Sequence, residues 1–340
     1  MKLPHIVTAC SSICEYLPFT VLFISCLGII VTLNLLISLT KWIFKTFFRS
    51  EKDLIKTYGS WALVTGATDG IGKAFAYQLA LRGFNLVLVS RSFRKLETVA
   101  GEIKAKHPGV HVKIVQVDFG GDFSESLRRV EEVSEDLEIG VLINNVGITY
   151  PGAMLFDEVE EKVWMNIVRV NIEGTTRVTK GVLRGMLRRK KGAVVNIGSG
   201  AAVVVPSHPL FTVYAATKAY VDQLSRSLYV EYGQYGIHVQ CQVPLYVATN
   251  MVSRVACIER DSLFIPTPEA YARAAINKIG YEARCTPYWA HSIQWCFARL
   301  IPDPLLDAWR LSIGMRRRNH QIISKPSASY EGKSYGQQNY

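Results

Sequence analysis

Three side chains in the middle of the chain could do chemistry together: Ser199, Tyr214 and Lys218, within the segment SGAAVVVPSHPLFTVYAATKAYVDQL. Tyr214 and Lys218 stand four residues apart in a stretch that reads as helix, so they share a face with the lysine one turn beyond the phenol. A free phenol titrates at about 10, too high for easy proton exchange, and a fixed ammonium nearby favours the phenolate. Tyr214 could then protonate an oxygen as a hydride reaches the carbon bonded to it. Ser199 follows the apolar run Ala193 to Ile197, which places its hydroxyl at the carboxyl end of a strand, where open α/β sheets bind ligands. That hydroxyl could hold the same oxygen. A Tyr and a Lys at this spacing also recur by chance in many helices, so the pair gains meaning only from its surroundings.

The surroundings are an alternation of short apolar runs and amphipathic stretches, the pattern of a doubly wound parallel sheet with helices on both faces, a Rossmann-type α/β fold. Strands are expected over Trp61 to Val64, Asn85 to Val89, Val110 to Val117, Gly140 to Ile143, Ala193 to Ile197 and Ile237 to Val243. Helices are expected over Gly70 to Leu81, near Lys95 to Lys106, over Ser124 to Asp136, from about Glu160 to Arg189, over Val213 to Tyr232, and last over Pro268 to Ile279.

The first strand runs into Thr65-Gly66-Ala67-Thr68-Asp69-Gly70-Ile71-Gly72. So tight a turn needs residues without a Cβ, both to reach positive φ and to let the backbone approach a pyrophosphate. Glycines between a first strand and its helix point to a dinucleotide. An acidic residue about twenty positions on would hold an unmodified ribose; Ser90-Arg91 stands there instead, and a guanidinium with a hydroxyl suits the 2′-phosphate of NADPH. Arg91 could equally be an ordinary solvated loop residue.

The order and spacing of Thr65-Gly66-xxx-Gly70-x-Gly72, Asn144-Asn145-Val146-Gly147, Asn171, Ser199 and Tyr214-xxx-Lys218 resemble the short-chain dehydrogenase/reductase family, over about Tyr58 to Glu282. The resemblance implies that Tyr214 donates the proton and Ser199 orients the substrate carbonyl. It implies further that Lys218 lowers the phenol's pKa and binds the nicotinamide ribose, and that Asn171 holds a relaying water. Gly66, Thr68, Asp69, Gly70, Ile71 and Gly72 would cradle the cofactor, with Ser90 and Arg91 at its 2′-phosphate and Asp118 at the adenine. Asn145 would border the cleft, and the segment from Pro244 through Val247 to Thr249 would line the nicotinamide amide. Val146 replaces the family's usual alanine, and Leu245 the glycine that commonly follows this proline.

A narrower likeness runs through TGATDGIGKAFA, NIEGTTRVT, RRKKGAVVNIGSGAA, QCQVPLYVAT and GYEARCTPYWAH, which are similar to the membrane-bound 3-oxoacyl-CoA reductases of fatty-acid elongation, those of plants especially. That likeness implies an acyl-CoA substrate, residence in the endoplasmic reticulum membrane, and other elongase subunits as partners. The tail ends Gln337-Gln338-Asn339-Tyr340, without the lysines that many such enzymes carry near the C-terminus for retrieval. A hydroxysteroid dehydrogenase acting on a 17-ketosteroid, and a catalytically silent membrane-bound member of the family, remain the competing readings. A steroid and an acyl chain both need an apolar cleft, so composition does not separate them.

The whole chain has 340 residues, a net charge of +11 and 49% hydrophobic residues, which excludes a disordered or collagen-like protein. No charge falls between Tyr16 and Thr40, so an uncleaved membrane-spanning helix is expected over about 17–40. Lys41, Lys45, Arg49 and Lys52 crowd its far flank, whereas Lys2 on the near side is offset by Glu15; the excess of basic residues puts the catalytic domain, 51–285, in the cytoplasm. The seven cysteines and seven histidines show no metal-ligand spacing, so no metal is expected, and an odd thiol count suits a reducing compartment.

Beyond 285 the chain stays apolar and aromatic through Trp295, Leu300 and Trp309, with Arg299, Arg310 and Arg316-Arg317-Arg318 interspersed. Residues 286–318 could lie on a membrane surface with basic heads toward anionic lipid, cap the substrate cleft, or pack on the core. One short arginine run without a binding fold gives no ground for a nucleic-acid partner. The polar residues from Asn319 onward are expected to be disordered.

Overall fold

The computed structural model describes residues 3–324, with side chains from 19 to 321. The chain divides into two units, Met1–Ser50 and Glu51–Tyr340.

The first unit is the helix α1 (Leu3–Ile43), continued by a π-helical turn, Phe44–Phe48. Among the described residues, Phe19–Phe48 is the one helical stretch long and apolar enough to cross a membrane, with 30 residues and a hydropathy of 2.5. At 1.5 Å per residue it rises about 45 Å, against about 30 Å of bilayer hydrocarbon. The hydroxyls of Thr32 and Thr40 donate to the carbonyls of Gly28 and Leu36 one turn back, so these two polar side chains are satisfied inside the helix. The helix is longer than the 17–40 expected from the apolar run, because its backbone bonds continue through the basic flank.

The second unit opens with α2 (Leu54–Tyr58), then alternates β1 (Trp61–Thr65), α3 (Gly70–Leu81), β2 (Asn85–Ser90), α4 (Phe93–Lys106), β3 (Val112–Gln116), α5 (Ser124–Asp136) and β4 (Ile139–Asn144). After a long connection come α6 (Glu161–Val168), a π-helical segment Arg169–Gly174, and α7 (Thr175–Arg189). The alternation resumes with β5 (Gly192–Ile197), the short α8 (Gly200–Val203), α9 (Thr212–Tyr232) and β6 (Ile237–Gln242). It closes with α10 (Asn250–Ala256), α11 (Pro268–Ile276), β7 (Arg284–Cys285), α12 (Trp289–Ala298) and α13 (Asp303–Ser324).

All seven strands pair in parallel, in the order β3-β2-β1-β4-β5-β6-β7. Alternate residues feed opposite faces: Ala62, Val64, Leu86, Leu88, Val141, Ile143, Ala193 and Val195 join one buried cluster, while Leu63, Val87, Val89, Leu142 and Val194 join another. Burial on both faces is why these strands read as continuous apolar runs rather than as alternating ones. Strand order reverses between β1 and β4, and the crevice beyond their carboxyl ends is where such sheets take ligands.

The expected strands and helices are present with ends shifted by at most three residues, and the largest differences lie near the C-terminus. The two-residue β7 carries no pattern of its own; it exists through pairing of Cys241 with Arg284 and Gln242 with Cys285. The expectation of disorder from Asn319 is corrected as far as Ser324, since α13 runs to that residue and the Gln321 side chain accepts a hydrogen bond from the Ala153 amide at 3.0 Å. Residues 325–340 lie outside the described residues.

One ion pair ties the middle of α9 to the sheet edge. Arg284 Nε on β7 donates to Asp222 Oδ1 at 2.6 Å, and the Asp222 side chain is only 8% exposed. Arg284→Ala would strand that carboxylate in a dry site and should cost about 3 kcal/mol. Urea unfolding of residues 51–340 in the full-length protein checks this; a loss under 1 kcal/mol, about the worth of a surface pair, would show that water reaches Asp222.

Candidate active site

The site forms where β1, β4, β5 and β6 end. At β1, Thr65 Oγ1 accepts from the backbone amides of both Asn145 and Val146, at 3.0 and 3.1 Å, and the Asn145 side-chain amide donates to the carbonyls of Thr65 and Gly66. The loops after β1 and β4 are thereby latched. The latch leaves no room for side chains: a Cβ on Gly72 would stand 2.3 Å from both Asn145 Nδ2 and the Gly66 carbonyl oxygen. Gly66 and Gly70 have φ of +65° and +51°, the left-handed region that glycine reaches without strain. At the start of α3 Asp69 takes the Gly70 amide, and the amides just after it lack an intrahelical acceptor beside this bare turn, a cradle of the shape and polarity a pyrophosphate needs.

The other residues expected around a dinucleotide are distributed along the same edge. Thr68 Oγ1 and Ser90 Oγ are 2.9 Å apart, joining the glycine turn to the end of β2, and Arg91 is exposed just beyond. Asp69 accepts from Gly70 N and from the Asn250 side chain, and Ile71 packs against the core. Asp118 Oδ1 caps Gly120 N at 3.0 Å on the adjoining loop. Val247 is buried, Thr249 caps α10 and would touch a Cβ on Gly70, and Pro244 accepts from Gly200 N at 2.8 Å. All of these stand at the carboxyl edge of the sheet. Their residue types fit a nicotinamide dinucleotide.

Ser199 is the N-cap of α8, its hydroxyl accepting from Ala201 N at 3.1 Å. Tyr214 lies in the first turn of α9 and interacts through its phenol with Ser199. Burial raises the phenol above its usual range, and the Ser199 hydrogen bond works the other way. Lys218, expected from its spacing to supply that downward pull, instead donates to the Ile197 carbonyl at 2.8 Å, with its ammonium 6.0 Å from the centre of the Tyr214 ring. Burial brings the lysine's own pKa down to about 8.

Asn171 sits inside the π-helical segment between α6 and α7, the kind of helix defect that recurs at functional sites. Its Oδ1 accepts from Ile148 N at 2.8 Å; its Nδ2 donates to the Ile148 carbonyl and to Thr217 Oγ1, both at 2.9 Å. Thr217 in turn donates to the Tyr214 carbonyl. Asn171 therefore bolts the loop after β4 to the turn of α9 that carries the phenol. A Cβ on Gly147 would lie 3.4 Å from both Asn171 Oδ1 and Lys218 Nζ, so the three meet at one point. Behind them a buried chain runs from Thr179 through Asn144 and Asn196 to Ser225, which registers α7 and α9 on the sheet.

The sequence placed the Pro244–Thr249 segment here and allowed residues 286–318 to cap the cleft, but it gave no role to Tyr246 itself or to any single residue of α12 and α13, and both helices reach the site. Fully buried His291 on α12 accepts from Leu245 N through Nδ1, so its proton is on Nε2, which faces the Tyr246 carbonyl at 3.1 Å. From α13, Arg317 donates to the Tyr246 hydroxyl at 2.8 Å, Arg318 pairs with Glu158, and Arg310 donates to His208. Met315 joins the apolar cluster that includes Tyr150, Phe211 and Tyr214. Of the three readings of this segment, Arg310, Arg317 and Arg318 fit the two in which it packs on the domain, and Arg316 is the exposed one of the run. A lone phenol after a strand, and cations on a terminal helix, carry no periodic signal that would have revealed this.

A family model described as short chain dehydrogenase matches residues 60–257. The chain belongs to the short-chain dehydrogenase/reductase family. A very-long-chain 3-oxoacyl-CoA reductase-like protein of Arabidopsis thaliana is 55% identical over 312 residues, covering 92% of this chain and 98% of that one. A human inactive hydroxysteroid dehydrogenase-like protein is 41% identical over 276 residues, 81% of this chain and 82% of its own length. Among solved structures, a short-chain dehydrogenase from Sphingobium yanoikuyae in complex with NADPH superposes with a TM-score of 0.60 at 26% identity, covering 81% of this chain and 99% of that one. The fold and family together make this an oxidoreductase scaffold that binds a nicotinamide cofactor.

Two imidazoles beside the site give its stability a pH dependence. Burial lowers His291 to about 4; burial and then Arg310 and Arg317 lower His208 to about 3. Unfolded, both would take a proton near the ordinary value of 6.5. Acid in that range therefore favours the unfolded chain, and the stability held above it falls as pH drops. The thermal midpoint should be level above about pH 7 and decline between about pH 6.5 and 5, before most carboxylates titrate. A level midpoint across that interval would mean that the two rings are solvated.

Proposed function

We propose that the protein reduces a very-long-chain 3-oxoacyl-CoA to the 3-hydroxyacyl-CoA with NADPH, as part of fatty-acid elongation at the endoplasmic reticulum membrane, its catalytic unit facing the cytoplasm. The observation that carries the reading is the convergence of Ser199, Tyr214, Lys218 and Asn171 beside the glycine cradle, on a chain 55% identical to a reductase-like protein of that class. The apolar stretch Phe19–Phe48 supports a membrane tether, which would keep the site beside a water-insoluble chain.

When bound, NADPH supplies the hydride. Gly66, Gly70, Gly72 and the first amides of α3 would hold its pyrophosphate, Ser90 and Arg91 would take the 2′-phosphate, Asp118 would border the adenine, and Val247 and Thr249 would flank the nicotinamide. Ser199 donates to the 3-keto oxygen and fixes it against Tyr214. The phenol, kept protonated by burial, is a proton donor at neutral pH and gives its proton to that oxygen as the carbon is reduced. Lys218, with its pKa brought to about 8, is the nearby group that can return a proton to Tyr214 after the transfer.

Membranes containing the protein should oxidise NADPH when offered a long-chain 3-oxoacyl-CoA, and Tyr214→Phe should lower the rate at least about 100-fold while leaving NADPH affinity nearly unchanged. Turnover of ketosteroids alone would move the protein to the hydroxysteroid dehydrogenase branch. Silence toward both, with NADPH still bound, would make it a non-catalytic member, a reading favoured by the name of the human relative. Arg91→Ala should weaken NADPH about tenfold or more and NADH little, since only the former carries the phosphate; equal effects measured by fluorescence titration would remove Arg91 from the cofactor site.

A further inference from the structure

The C-terminal helices converge on one side chain to which the reaction above assigns no role. Tyr246 follows β6 on a loop stitched to the Ser199 loop, since Gly200 N donates to the Pro244 carbonyl and a Cβ on Gly200 would press on Leu245. Its backbone is clamped by His291 on α12, a buried neutral ring with one fixed tautomer. Its hydroxyl accepts from Arg317 on α13, whose guanidinium lies 5.4 Å from the ring centre. A second guanidinium, Arg310, also interacts with the phenol and leans on His208, whose unprotonated nitrogen accepts at 2.7 Å. Neither Arg310 nor Arg317 has a carboxylate partner among the described residues, and Arg310 Nε is buried without a hydrogen-bond acceptor.

Two half-buried cations directed at one phenol are costly unless the phenol does something with them. Burial alone would raise the Tyr246 pKa, but Arg310 and Arg317 more than offset it, and the hydroxyl lies below its usual range. Because the oxygen accepts from Arg317, the O–H remains free to donate, and a phenol made more acidic donates a stronger hydrogen bond. Tyr246 is also within electrostatic reach of Tyr214. The site therefore holds two phenolic donors, one for the carbonyl being reduced and one with no assigned partner. A 3-oxoacyl thioester has two carbonyl oxygens, on carbons 1 and 3; a steroid ketone offers one at the reacting end.

We propose that Tyr246, polarised by Arg317 and Arg310, donates a hydrogen bond to the thioester carbonyl of the substrate, so that the site selects a 3-oxoacyl thioester over an isolated ketone. The inference rests on the reading of the substrate given above and deepens it. The hydrogen bond draws electron density from carbon 1, which makes carbon 3 a better hydride acceptor, and it fixes the chain so that the carbon-3 oxygen meets Ser199 and Tyr214. These selecting groups lie at 246, 291, 310 and 317, and the last three lie beyond the matched family segment, 60–257.

The test compares a long-chain 3-oxoacyl-CoA with the 3-oxoalkyl-CoA thioether of equal length, in which a methylene replaces the thioester carbonyl, using full-length protein in membranes with NADPH. Tyr246→Phe should lower kcat/KM for the thioester by about 10- to 100-fold, the worth of a charge-assisted hydrogen bond. Its loss on the thioether should be at least about tenfold smaller. Arg317→Gln should shift the ratio of the two substrates in the same direction while NADPH affinity stays level, which guards against misfolding as the cause. Equal losses on both substrates, or an unchanged ratio in both variants, would overturn the inference and leave the reductase reading intact. Wild-type silence toward the thioester would overturn both.

Discussion

The structure depends on the contact between the loops that follow β1 and β4. One threonine oxygen receives two backbone amides from the β4 loop, one asparagine returns two donor bonds to the β1 loop, and the glycines between them leave no space for anything larger. Because strand order reverses at this point, the helices above diverge and the latch sits at the floor of the gap between them. Everything built around that gap, from the cradle to Lys218, is placed relative to it through the parallel register of β4, β5 and β6.

A second constraint concerns charge. Lys218 is buried, and its one direct hydrogen-bond acceptor among the described residues is a strand-end carbonyl. The phenol it serves is also enclosed, and burial moves the two groups in opposite directions: the acid becomes weaker while the ammonium releases its proton more readily. Nearly equal in water, their proton affinities move apart, so at neutral pH the phenol holds its proton firmly while the ammonium gives its own up more readily. The spacing of Tyr214 and Lys218 led to an expectation of direct acidification by the neighbouring cation; the folded protein supplies that effect from Ser199, because the lysine side chain reaches across to β5 instead.

Most of the sheet was legible because a strand buried on both faces must be an apolar run, and because Gly66, Gly70 and Gly72 mark a turn that other residues would obstruct. The bounds expected for α3 and α5, Gly70 to Leu81 and Ser124 to Asp136, are those observed. What escaped was fixed by partners remote in sequence. The two residues of β7 are a strand only because β6 lies beside them. Arg317 and Arg318 look like a solvated basic run until Tyr246 and Glu158, 71 and 160 positions away, come to meet them. Likewise no local pattern marks Asn171 as the residue of a π-helical turn, since that turn exists to satisfy both backbone groups of Ile148.

The position of α13 after all seven strands bears on the order in which the parts of the site come into being. The chain emerges N-terminus first, so the apolar helix is complete before any strand exists, and the seven-stranded core can close before residues 303–324 have been made. The cradle and the tetrad are therefore assembled ahead of the helix that supplies Arg310 and Arg317. A chain cut before residue 303 would keep the sheet and the glycine cradle, yet would lack the helix whose guanidiniums meet Tyr246 and His208.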